Sequence, residues 1–223
     1  MALDYWARGV SILMLVTDSG KPVVDGEWIR ARLGKLTASR MKDALDFKKN
    51  GEEGEARRRY KMELIAERMT DIVVPHHVNP AMEWGLEKEP VAKHHYALAT
   101  GHQIQQGAFV DHPEIEYCGC TPDAFVDPDG LLETKCPTTV THLKWMLAGT
   151  VPVEHQPQMA LQMMCTGRVW CDFCSYDPRM PEGKRLFIRR YEPTADELKV
   201  IERAAIRFLD EVEALFRAVT EAQ

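Results

Sequence analysis

Between residues 103 and 135 the chain leaves the helical spacing of its first half for short segments of strand character, and the turn Pro128-Asp129-Gly130 folds two of them back on each other. This hairpin constrains most of what the chain can become. It sets 123–127 against 131–135 as adjacent antiparallel strands, with Gly130 expected to take the positive φ that a tight reversal requires. Side chains alternate along a strand, so Glu133 and Lys135 leave one face and Asp123 returns beside them. Two carboxylates and an ammonium converge.

Helices precede the hairpin. Asp25 and Thr37 are N-cap candidates for short helices over 28–33 and 38–45, a longer one covers 53–70 with Ala56, Tyr60 and Leu64 on one face, and another covers 80–100. The last of these should kink at Pro90 and end at Gly101, placed for a left-handed cap. Strands are expected at 103–110 and 114–118 before the hairpin and at 169–176 and 184–191 after it, with helices at 138–148 and 154–166. An amphipathic helix over 195–219 closes the chain, its apolar face formed by Leu198, Ile201, Ala205, Phe208, Val212, Leu215 and Phe216. The expected architecture is α/β, a mixed central sheet flanked by helices. With 223 residues, no repeat and no linker rich in Gly, Ser or Pro, the whole of 1–223 reads as one domain, 1–24 remaining unassigned.

The longest early apolar stretch, 12–16, is far short of the roughly 20 residues that cross a bilayer, so neither a membrane span nor a signal peptide is expected. Six cysteines without a secretory segment suit a reducing compartment. Cys118-x-Cys120 and Cys171-x-x-Cys174 are read as buried thiols, because Cys171 and Cys174 on one strand point to opposite faces. His76-His77 and His94-His95 are read as solvent or core residues, since adjacent histidines seldom converge on one ion. A net charge of -6 gives no general pull on nucleic acid, which leaves local basic clusters as contacts, Arg57-Arg58-Arg59-Tyr60-Lys61 and 185–190, although the first has the look of a solvated helix face.

Hard divalent cations choose carboxylate oxygens, and a cation beside a phosphodiester lowers the pKa of its bound water and stabilises charge in in-line attack. Asp123, Glu133 and Lys135 are a set suited to that chemistry, with Lys135 orienting the water or, given a depressed pKa, acting on its proton. The spacing alone is weak. A loose Asp…Glu-x-Lys pattern arises by chance in roughly half of chains this long, and a surface salt bridge would use the same residues.

The surroundings are more specific. Gly119-Cys120-Thr121-Pro122-Asp123-Ala124 followed by Leu131-Leu132-Glu133-Thr134-Lys135-Cys136-Pro137 resembles the active-site hairpin of the phage lambda exonuclease family, viral recombination nucleases with a restriction-endonuclease-like core. Arg32-Leu33-Gly34-Lys35-Leu36-Thr37-Ala38-Ser39 resembles that family's amino-terminal motif; Trp84-Gly85 with Glu89, Gln158 with Thr166, and Tyr176-Asp177-Pro178-Arg179-Met180 keep its order.

The resemblance implies that Asp123, Glu133 and the Thr134 carbonyl bind metal, Mg²⁺ with Mn²⁺ as substitute and two ions in all, while Lys135 and Glu89 act on the attacking water and Gln158 supports the site. It assigns Arg32, Ser39 and Thr121 to a pocket for the DNA 5′-phosphate and Met82 to a wedge parting the terminal base pair. It further implies a homotrimeric ring threaded by double-stranded DNA, 5′ to 3′ digestion to 5′-mononucleotides, and a 3′ single strand passed to a phage-type annealing protein in the bacterial cytoplasm. The rivals are a structure-selective endonuclease on the same core, a DNA-end-binding protein without catalysis, and a helicase-associated nuclease holding a cysteine-bound cluster.

Overall fold

The computed structural model describes residues 26–74 and 79–222. The 12–16 stretch, the Asp25 cap and His76-His77 lie outside the described residues. Among those described, the elements run α1 (Gly26–Arg32), β1 (Leu36–Thr37), a 3₁₀ turn (Ala38–Arg40), α2 (Met41–Ala44), α3 (Glu55–Thr70), α4 (Pro80–Thr100), β2 (Ile104–Gln106), β3 (Val110–Asp111), β4 (Cys118–Cys120), β5 (Ala124–Val126) and β6 (Gly130–Lys135). They continue as α5 (Thr139–Ala148), α6 (Gln156–Thr166), β7 (Trp170–Tyr176), β8 (Leu186–Tyr191) and α7 (Ala195–Glu221).

Two mixed sheets form. The larger has the order β2-β5-β6-β7-β8, in which only the central pair β6–β7 is parallel. The smaller, β1-β4-β3, pairs β1 with β4 in parallel. The strand expected over 103–110 is therefore two strands in different sheets, and 114–118 contributes only its last residue to β4. Gly107 marks the divergence: a Cβ there would lie 1.8 Å from the Pro122 carbonyl oxygen, so the chain passes this point only as glycine.

Strand β6 is buried on both faces, as a central strand must be. Leu131 enters a cluster with Met159, Met163, Phe173 and Phe187, whereas Leu132 enters one with Tyr96, Ala124 and Val126 on the opposite side. Cys171 and Cys174 divide between these same two clusters, so the expected pair of diverging, buried thiols is present. At the hairpin, the positive φ falls on Asp127 (45°) and not on Gly130. Gly130 is needed for another reason: a Cβ would come within 2.1 Å of the Trp170 indole.

Side chains cap the starts of α4, α5 and α7. Asn79 accepts from the amides of Ala81 and Met82, both at 3.0 Å, and Gly101 closes the same helix at φ 73°, while α4 continues through Pro90. Thr37 makes no side-chain cap; its hydroxyl turns instead toward Arg32 and Ser39. Thr194 and Glu197 form a reciprocal capping box at the start of α7. Thr194→Ala should lower stability by about 1 kcal/mol, seen as a lower urea midpoint at unchanged slope.

Helix α7 covers one flank with Ala205, Phe208, Leu209 and Val212; Leu215, expected on this face, is 37% exposed. The basic run of α3 is not a single solvated face. Arg57 is 1% exposed and Lys61 6%, and both reach Glu53 and Glu211, the guanidinium at 2.9 and 2.7 Å and the ammonium at 2.5 and 3.2 Å. These ions clamp α3 to α7 and are lost as phosphate contacts; Arg58 and Arg59 remain outside. In the second cluster, Arg190 pairs with Asp172 at 2.9 Å and Arg189 reaches the Gly149 carbonyl at 2.7 Å, both staying exposed on β8.

Candidate active site

The hairpin register Ala124↔Leu132 places Asp123 at the level of Glu133. Phe125, two residues on from Asp123, packs with Leu131 on the side facing α6, so Asp123, Glu133 and Lys135 share that face. The Lys135 ammonium contacts Glu133 Oε1, and the Thr134 amide donates to Asp123 Oδ2 at 2.6 Å. Gln158 donates to Glu133 Oε1 at 2.7 Å.

Burial, and then the charges of Glu133 and Glu89, raise the Asp123 carboxyl well above the usual carboxylate range, against the opposing pull of Lys135 and the Thr134 amide. For Lys135, burial acts to lower the pKa, but Glu133 and Asp123 outweigh it and hold the ammonium above its ordinary value. They keep a cation suited to orienting a water. His155, which the sequence did not single out, is held down to about 4 by burial and then by the Lys135 charge, so it is neutral at pH 7.

Glu89 does not join the hydrogen-bonded group. It pairs with Lys93 at 2.6 Å, and its influence on Asp123 and Lys135 is through its charge. Met82 is 47% exposed in the first turn of α4, seven residues before Glu89 and on the same side of the helix. It is not core.

Arg32 and Ser39 are brought together: Nη2 of Arg32 lies 3.3 Å from Ser39 Oγ and 3.4 Å from Thr37 Oγ1. Thr37 is an addition to the expected pair, buried where β1 meets the 3₁₀ turn. Thr121 follows β4, the strand parallel to β1, and so stands at the same end of that short pair. It lies two residues before Asp123, in the link between the two sheets.

A further residue, Gln162, was not anticipated. It donates to Glu133 Oε2 at 2.7 Å from a fully buried position on α6. Its four-residue offset from Gln158 was the available signal, since both then face the same strand.

Asp123, Glu133 and the main chain of Thr134 offer only hard oxygen donors, the chemistry that Mg²⁺ or Mn²⁺ accepts. Among the described residues, no group of three or more His, Cys, Asp or Glu is arranged to hold a metal.

Comparison with known proteins agrees with this architecture. A family model for the YqaJ-like viral recombinase domain matches residues 27–169. The alkaline exonuclease LHK-Exo from Laribacter hongkongensis has a similar structure, with TM-score 0.80 and 39% identity, over 88% of this chain and 96% of that one. LHK-Exo in complex with dAMP gives 0.81 and 39%, over 87% and 96%. A phage related exonuclease from Haemophilus somnus 129PT, 14% identical with TM-score 0.58 over 81% of this chain and 95% of that one, shares the fold alone. No curated protein matches. The mixed α/β architecture expected from the sequence is thus a lambda-exonuclease-like nuclease fold. With these matches over most of its length, the chain belongs to the YqaJ-like viral recombinase family and is a nuclease, a hydrolase acting on DNA.

Proposed function

We propose that the protein is a Mg²⁺-dependent exonuclease, able to use Mn²⁺, that digests double-stranded DNA 5′ to 3′. It releases 5′-mononucleotides and leaves a 3′ single strand for recombination by annealing. The observation that carries this reading is the convergence of Asp123, Glu133, Lys135 and Gln158 on one face of the β5–β6 hairpin in a member of an exonuclease family. Asp123, Glu133 and the Thr134 carbonyl would hold the metal, two ions in the full complement. When bound, the cation lowers the pKa of a water and offsets charge on the phosphate oxygens.

The chain's own groups do the rest. Lys135 orients the attacking water as a cation, Gln158 keeps Glu133 in place, and Glu89 contributes negative charge from α4. Arg32, Ser39 and Thr121, joined by Thr37, receive the terminal 5′-phosphate, a task suited to a guanidinium fork among hydroxyls. Met82 parts the end base pair, consistent with its exposure. That LHK-Exo has been crystallised with dAMP supports a pocket of mononucleotide size.

In the same reading 1–223 forms a single nuclease domain in the cytoplasm of a bacterial host, encoded by a phage or prophage. It assembles as a homotrimeric ring around DNA and delivers its product to a single-strand annealing protein. Support for self-association comes from Val140, Leu143 and Leu147, an exposed apolar stripe along α5. Among the described residues, no helix is long and apolar enough to cross a membrane.

The test is digestion of linear duplex DNA bearing a 5′-phosphate and a label on one strand, in Mg²⁺ and in EDTA, beside a closed circle and the Lys135→Ala variant. Loss of label from the 5′ end as mononucleotides, with the circle, EDTA and Lys135→Ala samples inert, is expected. A cut circle would make the activity endonucleolytic. End binding with no cleavage in Mg²⁺ or Mn²⁺ would remove catalysis from the account.

A further inference from the structure

Both oxygens of Glu133 are held from α6, and only one of the two holders belongs to the motifs read in the sequence. Gln158 and Gln162 donate to Oε1 and Oε2 respectively, each at 2.7 Å, with Glu133 itself 0% exposed. Gln162 is also 0% exposed, and its own side-chain oxygen is buried without a hydrogen-bond partner among the described residues. An orphaned acceptor in a core requires an explanation, because an apolar side chain of the same length would remove the defect. Its neighbours on α6, Leu161, Met163 and Cys165, are all buried and apolar. The amide is kept there for its N–H.

The terminal torsion of a glutamate is broad, so a carboxylate with one fixed oxygen can still swing its plane. A donor on each oxygen removes that freedom. A neutral amide does so without cancelling the carboxylate's charge, as an arginine in its place would. We infer that Gln162 is a positioning residue that fixes the plane of the Glu133 carboxylate for metal binding. This inference rests on the proposed reading of Glu133 as a metal ligand. Partners of this kind, one shell out from the metal, typically change affinity or activity about 10- to 100-fold when removed.

The test is calorimetric titration of the full chain with Mn²⁺, without DNA, for the wild type, Gln162→Met and Glu133→Gln, each paired with thermal unfolding in EDTA. Gln162→Leu is a second variant should Gln162→Met fail to fold. Glu133→Gln is expected to lose the Mn²⁺ site. Gln162→Met is expected to bind about 10-fold or more weakly while unfolding at the wild-type temperature, its nuclease activity returning as Mn²⁺ is raised. Equal Mn²⁺ affinity in the wild type and Gln162→Met, with Glu133→Gln still defective, overturns the inference and spares the reading beneath it. Wild-type binding by Glu133→Gln overturns both. If the Gln162 variants melt early in EDTA and their binding falls only with the folded fraction, the residue is structural and the inference fails.

Discussion

Glu133→Gln is expected to leave a folded protein whose turnover of 5′-phosphorylated linear duplex falls on the order of 10³-fold or more at saturating DNA. The substitution keeps the shape of the side chain and removes its charge. A metal's stabilisation of the transition state amounts to several kcal/mol, and each 1.36 kcal/mol is a factor of about ten in rate. A three-decade loss therefore follows if this carboxylate holds the cation. The new amide keeps one accepting oxygen but turns its other end into an N–H donor, opposite a glutamine that itself donates to this position, so it is not held on both sides as the carboxylate is. Single-turnover rates across a range of Mn²⁺ give the answer, and activity within tenfold of wild type would remove Glu133 from the chemistry.

The same variant has a second signature in EDTA. Asp123 binds its proton more tightly in the folded protein, through burial and then the charge of Glu133. An acid whose folded pKa is raised takes up protons on folding, so its contribution to stability falls as pH rises from the ordinary carboxylate range toward the folded value. Removing the Glu133 charge should flatten that dependence.

Arg32→Ala is expected to lower kcat/KM on 5′-phosphorylated ends about 10- to 100-fold, as loss of a charged hydrogen bond of about 1.5–3 kcal/mol implies. Duplexes ending in a 5′-hydroxyl should change little, since they lack the group that Arg32, with Ser39 and Thr37 around it, is proposed to receive. Competition between the two labelled ends in one reaction measures the ratio directly. An equal loss on both would make Arg32 a general or structural residue.

The hairpin was legible because its information is local: one turn and an alternating pattern set Asp123, Glu133 and Lys135 on a common face. What could not be read depends on distant partners. Gln103 to Val110 has strand character throughout, yet it divides between two sheets around Gly107, where the Pro122 carbonyl packs too close for any side chain. Arg57 and Lys61 look like a solvated basic stripe until Glu211, from the far end of the chain, draws them inside. Thr37 has the composition of a cap, yet its hydroxyl is turned to Arg32. Gln162 lies in an apolar stretch of α6, and its purpose is visible only once Glu133 is seen opposite.

The peptide Thr121-Pro122-Asp123 joins the small sheet to the large one, with Pro122 buried against Gly107. Two Cα steps of about 3.8 Å keep Thr121 and Asp123 within about 8 Å of each other, and proline removes a degree of freedom from the link. On the proposed reading, one of these residues grips the DNA end and the other helps to cut. The covalent chain then caps how far apart the gripping and the cutting can lie, whichever base arrives.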